Sequence, residues 1–158
     1  MSAYTHLQQS QPVLISHYFL SYIEMLERDR KRFEDAYTRI DVLPSGSGAC
    51  CGTSIPYDSE YMANLLGFSK VSRNSLDAVS DRDFILEMAS ISTICMLHLS
   101  RFSEDIILWN TQEFNYVSIP DKFCTGSSIM PHKKNPDVFE LIRGKSAIST
   151  GLMSGLFN

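Results

Sequence analysis

Two long stretches of helical periodicity limit what this chain can fold into. Between about His6 and Arg39, Val13, Leu20, Ile23, Leu26, Phe33 and Tyr37 recur mostly at spacings of three, four and seven, which lines one face of an α-helix. Pro12 lies near the start of this stretch, where it is tolerated or gives a kink. Its charged middle, Glu27 to Arg32, reads as a solvated face. A second stretch runs from Ser80, read as the cap for Asp81-Arg82-Asp83, to about Asn110. It carries Phe84, Ile85, Met88, Ile91, Cys95, Leu99, Phe102 and Ile106, with Ile94, Met96 and Leu97 between them. That apolar band is wider than one helix contact needs, so burial on several sides is expected. Helices of about 30 residues exceed the usual length of about 11–12. No segment alternates convincingly as a strand. The expectation is an all-α, long-helix bundle whose remaining apolar surface is covered by copies of itself.

Loops separate these helices. Residues 41–58 are loop by composition, and a short helix at about 59–66 stops at Gly67. A further loop, 111–135, leads to a last helix, with Asn135 expected to cap and Pro136 to take the first helical position. There is no internal repeat. The last helix ends without a convincing stop signal, and both chain ends read as cut.

With 44% hydrophobic and 20% charged residues, the composition is that of a globular chain and excludes disorder. A net charge of −4 without a long basic run argues against nucleic-acid binding. No apolar stretch reaches a membrane span and no signal pattern is seen, so no membrane partner and a cytoplasmic location are expected. Cys50, Cys51, Cys95 and Cys124 form no Cys-x-x-Cys pair, and no histidines sit at zinc spacing. No metal and no cofactor are expected, and the thiols read as reduced, small apolar residues.

The densest chemistry lies in Gly126 to Gly144. Ser127 and Ser128 follow a glycine, but an unactivated serine is a poor base and needs positive charge and loop closure to form an alkoxide. Lys133 and Lys134 are close in sequence, and one could face a site while the other stays in solvent. Asn135 reads as a helix cap, and a helix start also favours an anion. Glu140 either offsets the helix dipole or orients an imidazole. A second group is Tyr4-Thr5-His6-Leu7-Gln8, in which Thr5 and Gln8 flank His6, while His17 and His98 read as structural. Gly144-Lys145-Ser146 is not a phosphate loop, because Phe139 occupies the upstream glycine position. Gly46, Gly48 and Gly52 follow no strand and make no dinucleotide fingerprint.

Residues 126–135 match every specified position of Gly-Ser-Ser-x-Met-Pro-x-Lys-x-Asn, and so resemble the fumarase/aspartase superfamily. Within it the chain looks most similar to the argininosuccinate lyase family. Tyr4 to Gln8, Asn74 to Phe84, Lys133 to Asp137 and Glu140 to Arg143 carry the likeness, with Leu43 to Ala49 and His98 to Asp105 adding to it. His132 departs towards the Met-Pro-His-Lys pattern of adenylosuccinate lyases. Ala3, Gln9 and Ser10 also depart from the usual residues.

The resemblance implies β-elimination of argininosuccinate to arginine and fumarate. It implies Ser127 as base on a closing loop, Lys133 stabilising an aci-carboxylate, and Thr5 and Asn135 holding carboxylates. His6, oriented by Glu140, would be the general acid or proton relay, and the choice of base between Ser127 and His6 stays open. It further implies a homotetramer whose sites each draw on three subunits. Residues 1–158 would be the central helical portion, without N-terminal and C-terminal domains, and inactive alone. Another superfamily lyase, of adenylosuccinate type, or a non-catalytic crystallin-like scaffold are the alternatives.

Overall fold

Ile15, not His6, begins the first long helix. The computed structural model describes residues 1–158 throughout. Its elements are strands β1 (Ser2–Thr5) and β2 (Gln8–Pro12), then helices α1 (Ile15–Ile40), α2 (Ser59–Leu66), α3 (Ser75–Ser80), α4 (Asp83–Trp109) and α5 (Asp137–Leu156), with a 3₁₀ turn at Asp121–Phe123 before α5. The chain is 57% helical, so the all-α reading stands, with a hairpin that it did not contain.

That hairpin corrects the expected helix over residues 6–14. β1 and β2 pair antiparallel, and the Thr5↔Gln8 pair closes a two-residue turn. His6 (φ 53°) and Leu7 (φ 60°) both take the left-handed conformation such a turn requires. Hairpin turns of this kind are usually signalled by Asn-Gly or Asp-Gly, and this one carries neither. For residues with a side chain the left-handed region costs about 1–2 kcal/mol each. Pro12 ends β2 and does not open a helix.

The helix boundaries are otherwise near those expected. α2 ends at Gly67 (φ 81°), whose N–H donates to the Ala63 carbonyl. Ser80 does not cap α4. It ends the separate helix α3, and its hydroxyl donates back to the Leu76 and Asp77 carbonyls. The capping acceptor is the Asp81 carboxylate, which receives the Asp83 N–H at 2.7 Å. Asn135 likewise does not cap α5. Pro136 stands at the N-cap without a side-chain bond, because the Asn135 amide is engaged within its own loop.

By packing, the chain divides into Met1–Arg30 with Ile91–Asn158, and Lys31–Ser90. The first unit is built on an aromatic seam. Trp109, 6% exposed, meets the ring of Tyr18 at 4.8 Å and that of Phe19 at 5.8 Å. Tyr22 packs edge-on against Phe102 at 5.1 Å, and Phe102 meets Phe139 of α5 at 6.3 Å. Arg143 of α5 pairs with Glu104 of α4 at 2.7 Å.

Two carboxylates sit inside this seam. Asp105 accepts the hydroxyls of both Tyr18, at 2.7 Å, and Tyr22. Asp29 is 2% exposed and bonds His98 Nδ1 at 2.7 Å. The charged stretch Glu27 to Arg32 is therefore not wholly a solvated face, whereas His98 is structural, as expected. Asp29 also contributes, after burial, to raising the Cys95 thiol above its ordinary value.

In the second unit, Leu43 and Val71 form a parallel bridge, with Leu43 N–H to the Lys70 carbonyl at 2.8 Å. Asp41, 8% exposed, accepts the Ser69 N–H at 3.1 Å and the Ser69 hydroxyl. Those bonds hold its carboxyl below the usual range. Arg39 bridges Glu87 at 2.5 Å and Asp35 at 2.8 Å.

Three expectations are corrected. Along α4 only Ile91, Ser103, Ile106 and Trp109 are buried, while Phe84, Ile85, Met88 and Leu97 stay exposed, so its wide apolar band is only partly covered in the single chain. An 18-residue window of α4 has a mean hydropathy of 1.2, so by length and composition alone this helix is apolar enough to cross a membrane. The cysteines are free, but Cys50 and Cys51 are exposed rather than used as buried apolar residues.

Two measurements check this packing. A Cβ at Gly48 (φ +63°) would lie 2.3 Å from the Gly52 carbonyl oxygen, whereas one at Gly67 (φ +81°) meets nothing within 4 Å. Gly48→Ala is therefore expected to cost about 2–3 kcal/mol in urea unfolding and Gly67→Ala about 1 kcal/mol. Burial first, then the bond to Asp105, raises the Tyr18 pKa from 10.0 to about 12, and the same causes raise Tyr22. A raised folded-state pKa gives stability that is complete below the unfolded value and lost as pH rises towards the folded one. Stability followed by circular dichroism should fall between pH 10 and 12, and less so in Tyr18→Phe.

Candidate active site

The loop ahead of α5 is held shut at its base by a short backbone ladder. Thr125 and Asn135 form an antiparallel bridge, with N–H···O distances of 3.0 and 2.8 Å in the two directions. Between them the chain carries Gly126-Ser127-Ser128 out and Lys133-Lys134 back. The hydroxyl oxygen of half-buried Ser127 accepts the backbone N–H groups of Ile129 at 3.2 Å and Met130 at 3.1 Å. Two donors aimed at one oxygen favour its deprotonated form, which is what a serine base needs. Ser128 is exposed and makes no such bond.

The two lysines separate by partner. Lys134 pairs with the Asp121 carboxylate, which neutralises it. Lys133 donates to the Asn135 side-chain oxygen at 2.5 Å, a neutral acceptor that positions the ammonium without cancelling its charge. The Asn135 amide in turn donates to the Gly126 carbonyl at 3.5 Å. Ser127, Lys133 and Asn135 thus belong to one loop, with a conditioned hydroxyl, an uncompensated cation and an amide.

The remaining candidates lie elsewhere in the same unit. Thr5 ends β1 and His6 occupies the hairpin turn, both exposed. His6 lines a cavity of about 350 Å³ with Tyr4, Tyr18, Asp105, Trp109 and Phe114. Glu140 stands in the first turn of α5, and its charge acts on Arg143, raising that guanidinium after the larger effect of Glu104. No hydrogen bond joins Glu140 to His6, and none joins either to Ser127.

Sequence reasoning gave no role to Tyr4, Asp105 or Asp121. Tyr4 and Asp105 lie within stretches that carry the family likeness, but nothing in their spacing shows that one reaches Tyr116 and the other two tyrosines. Asp121 is 13 residues from Lys134 along a loop, a distance at which sequence carries no pairing signal.

A family model described as a lyase matches residues 1–151. The chain belongs to the lyase family. Among the similar proteins, an argininosuccinate lyase from Geobacter sp. (strain M21) is 57% identical over 156 residues, 99% of this chain. Only 34% of that protein is covered, so the chain spans about a third of the length of the curated relatives it matches. An EDDS lyase crystallised with formate superposes with a TM-score of 0.94 at 33% identity, over 99% of this chain and 32% of that one. An EDDS lyase variant with bound fumarate also reaches 0.94, at 32% identity over the same shares. As in those lyases, the fold is that of the fumarase/aspartase superfamily.

The geometry at Ser127 is testable by amide exchange. In Ser127→Ala the Ile129 and Met130 amides lose their acceptor, and a net bond of about 1 kcal/mol predicts exchange about 5-fold faster. Ser128→Ala should leave both unchanged.

Proposed function

We propose that this chain is the part of an argininosuccinate lyase that supplies the mobile-loop serine, its partner cation and the histidine hairpin. The observation that carries this reading is the Thr125–Asn135 loop, in which Ser127 receives two N–H donors while Lys133 keeps an uncompensated charge. Such a loop suits removal of a proton from the carbon beside a carboxylate. Ser127 takes that proton, the electron pair moves into the carboxylate to give an aci-carboxylate dianion, and Lys133 stabilises the added negative charge. The pair then returns to form the carbon–carbon double bond while the carbon–nitrogen bond breaks. The guanidinium nitrogen leaves with a proton from His6, giving arginine and fumarate.

Thr5 and Asn135 hold the substrate's carboxylates in this reading, and Glu140 orients His6. Within one chain no hydrogen bond joins Glu140 to His6, or His6 to Ser127, and this reading has the site completed by other copies. We accordingly propose a homotetramer, closed through the exposed apolar band of α4. The bound fumarate in the EDDS lyase variant is consistent with this product class.

The test is a chimera in which these 158 residues replace the matching third of the Geobacter sp. (strain M21) relative. It should release fumarate from argininosuccinate, followed by ultraviolet absorbance. Ser127→Ala should lower kcat by at least about 100-fold with little change in KM, the signature of a group that acts in the transition state. Equal loss in both constants would assign Ser127 to binding instead. Cleavage of adenylosuccinate but not argininosuccinate would sink the substrate assignment. The 158-residue chain alone is expected to release no fumarate, and sedimentation should find it self-associated.

A further inference from the structure

The turn that carries His6 is held from one side only. β2 is exposed along its whole length, and a two-stranded hairpin is marginal by itself. Left-handed His6 and Leu7 weaken it further. Beyond Val13, the hairpin's hydrogen bonds and ring contacts all pass through Tyr4. Its ring meets Phe114 edge-on at 5.1 Å, and its hydroxyl bonds that of Tyr116 at 3.2 Å.

Phe114 and Tyr116 both reach Tyr4 because the residue between them, Asn115, is itself left-handed (φ 50°). In extended backbone, residues two apart share a face but run on along the chain. The left-handed residue folds the segment back. Asn is the side chain that tolerates this region best after glycine. The fold-back is tied to the end of α4, where the Tyr116 and Val117 N–H groups donate to the Trp109 carbonyl at 2.9 and 3.2 Å. The Tyr116 ring also lies 6.2 Å from Trp109, which packs on Tyr18 of α1. An unbroken line of rings therefore runs from the two long helices to the histidine turn.

We propose that Tyr4, Phe114 and Tyr116, set by left-handed Asn115, are positioning residues that hold the His6 turn so that its imidazole meets the substrate in one orientation. This rests on the reading of His6 as the proton donor. A donor held in one orientation avoids the loss that small misplacement brings, which reaches about 100-fold for 1 Å. The aromatic line achieves this without touching substrate.

The experiment uses substitutions that separate backbone shape from ring and hydroxyl. Asn115→Gly keeps the left-handed conformation, and Asn115→Val disfavours it. Tyr116→Phe keeps the ring and removes the bond to Tyr4. In the 158-residue chain, the His6 imidazole nitrogen and carbon resonances should shift or broaden in Asn115→Val and Tyr116→Phe but match the parent in Asn115→Gly. In the chimera, the same two variants should lower kcat about 10-fold, with KM within about 2-fold, and displace the basic limb of the kcat–pH profile. Asn115→Gly should restore all three.

Unchanged His6 resonances in Asn115→Val, or equal loss in Asn115→Gly, would overturn the proposal. So would altered resonances with unaltered kcat, since the turn would then be held for stability alone. His6→Ala with undiminished turnover would fail the proton-donor reading itself. The resonance comparison would still report whether the line of rings holds the turn.

Discussion

The burial of Trp109 is the interaction on which the first unit depends. It closes the C-terminal end of α4, meets Tyr18 and Phe19 of α1 on one side, and carries Tyr116 on the other. Aromatic pairs contribute beyond the area they bury, and their edge-on geometries restrict rotation as well as separation. Asp105, one turn earlier on α4, ties the hydroxyls of Tyr18 and Tyr22 to the same place. The α1–α4 seam is thus fixed by shape and by directed hydrogen bonds together, and the hairpin and the 111–117 turn are built onto its end.

The loop closed by Thr125 and Asn135 is held by a different kind of contact. It buries little, since Ile129 is 85% exposed and Lys133 is at the surface, so its shape comes from backbone closure at Thr125–Asn135 and from N–H donors gathered at Ser127. A loop held at its base and free at its tip suits closure over a ligand. The Lys134–Asp121 pair neutralises the neighbouring lysine and leaves Lys133 as the cation whose charge is available inside the loop.

Much of the fold was legible in the sequence. The apolar spacing along α1 and α4, Gly67 after α2, and the glycine- and serine-rich composition of 41–58 each state a local preference that the structure obeys. The failures share one cause. The hairpin at 2–12 depends on left-handed His6 and Leu7, which have no local reason to adopt that conformation. Asn135 has every local reason to cap α5, yet its amide is committed to Lys133 and Gly126. Ser80 loses the cap of α4 to Asp81 because α3 and α4 are separate helices. In each case the hydrogen bonds or strand pairing actually made outweighed a residue propensity worth about 1 kcal/mol.

By itself, the sequence determined most of the helical segments and the make-up of the candidate loop, because periodicity and the Gly-Ser-Ser-x-Met-Pro-x-Lys-x-Asn spacing are local quantities. Tertiary structure alone decided how those residues are held. Tyr4 and Tyr116 are separated by 112 positions, and Tyr18 and Asp105 by 87. The choice between Lys133 and Lys134 turned on an aspartate 13 residues away from Lys134. The energy of such pairs exists only once the chain has closed the loop between them, so no stretch of sequence contains it.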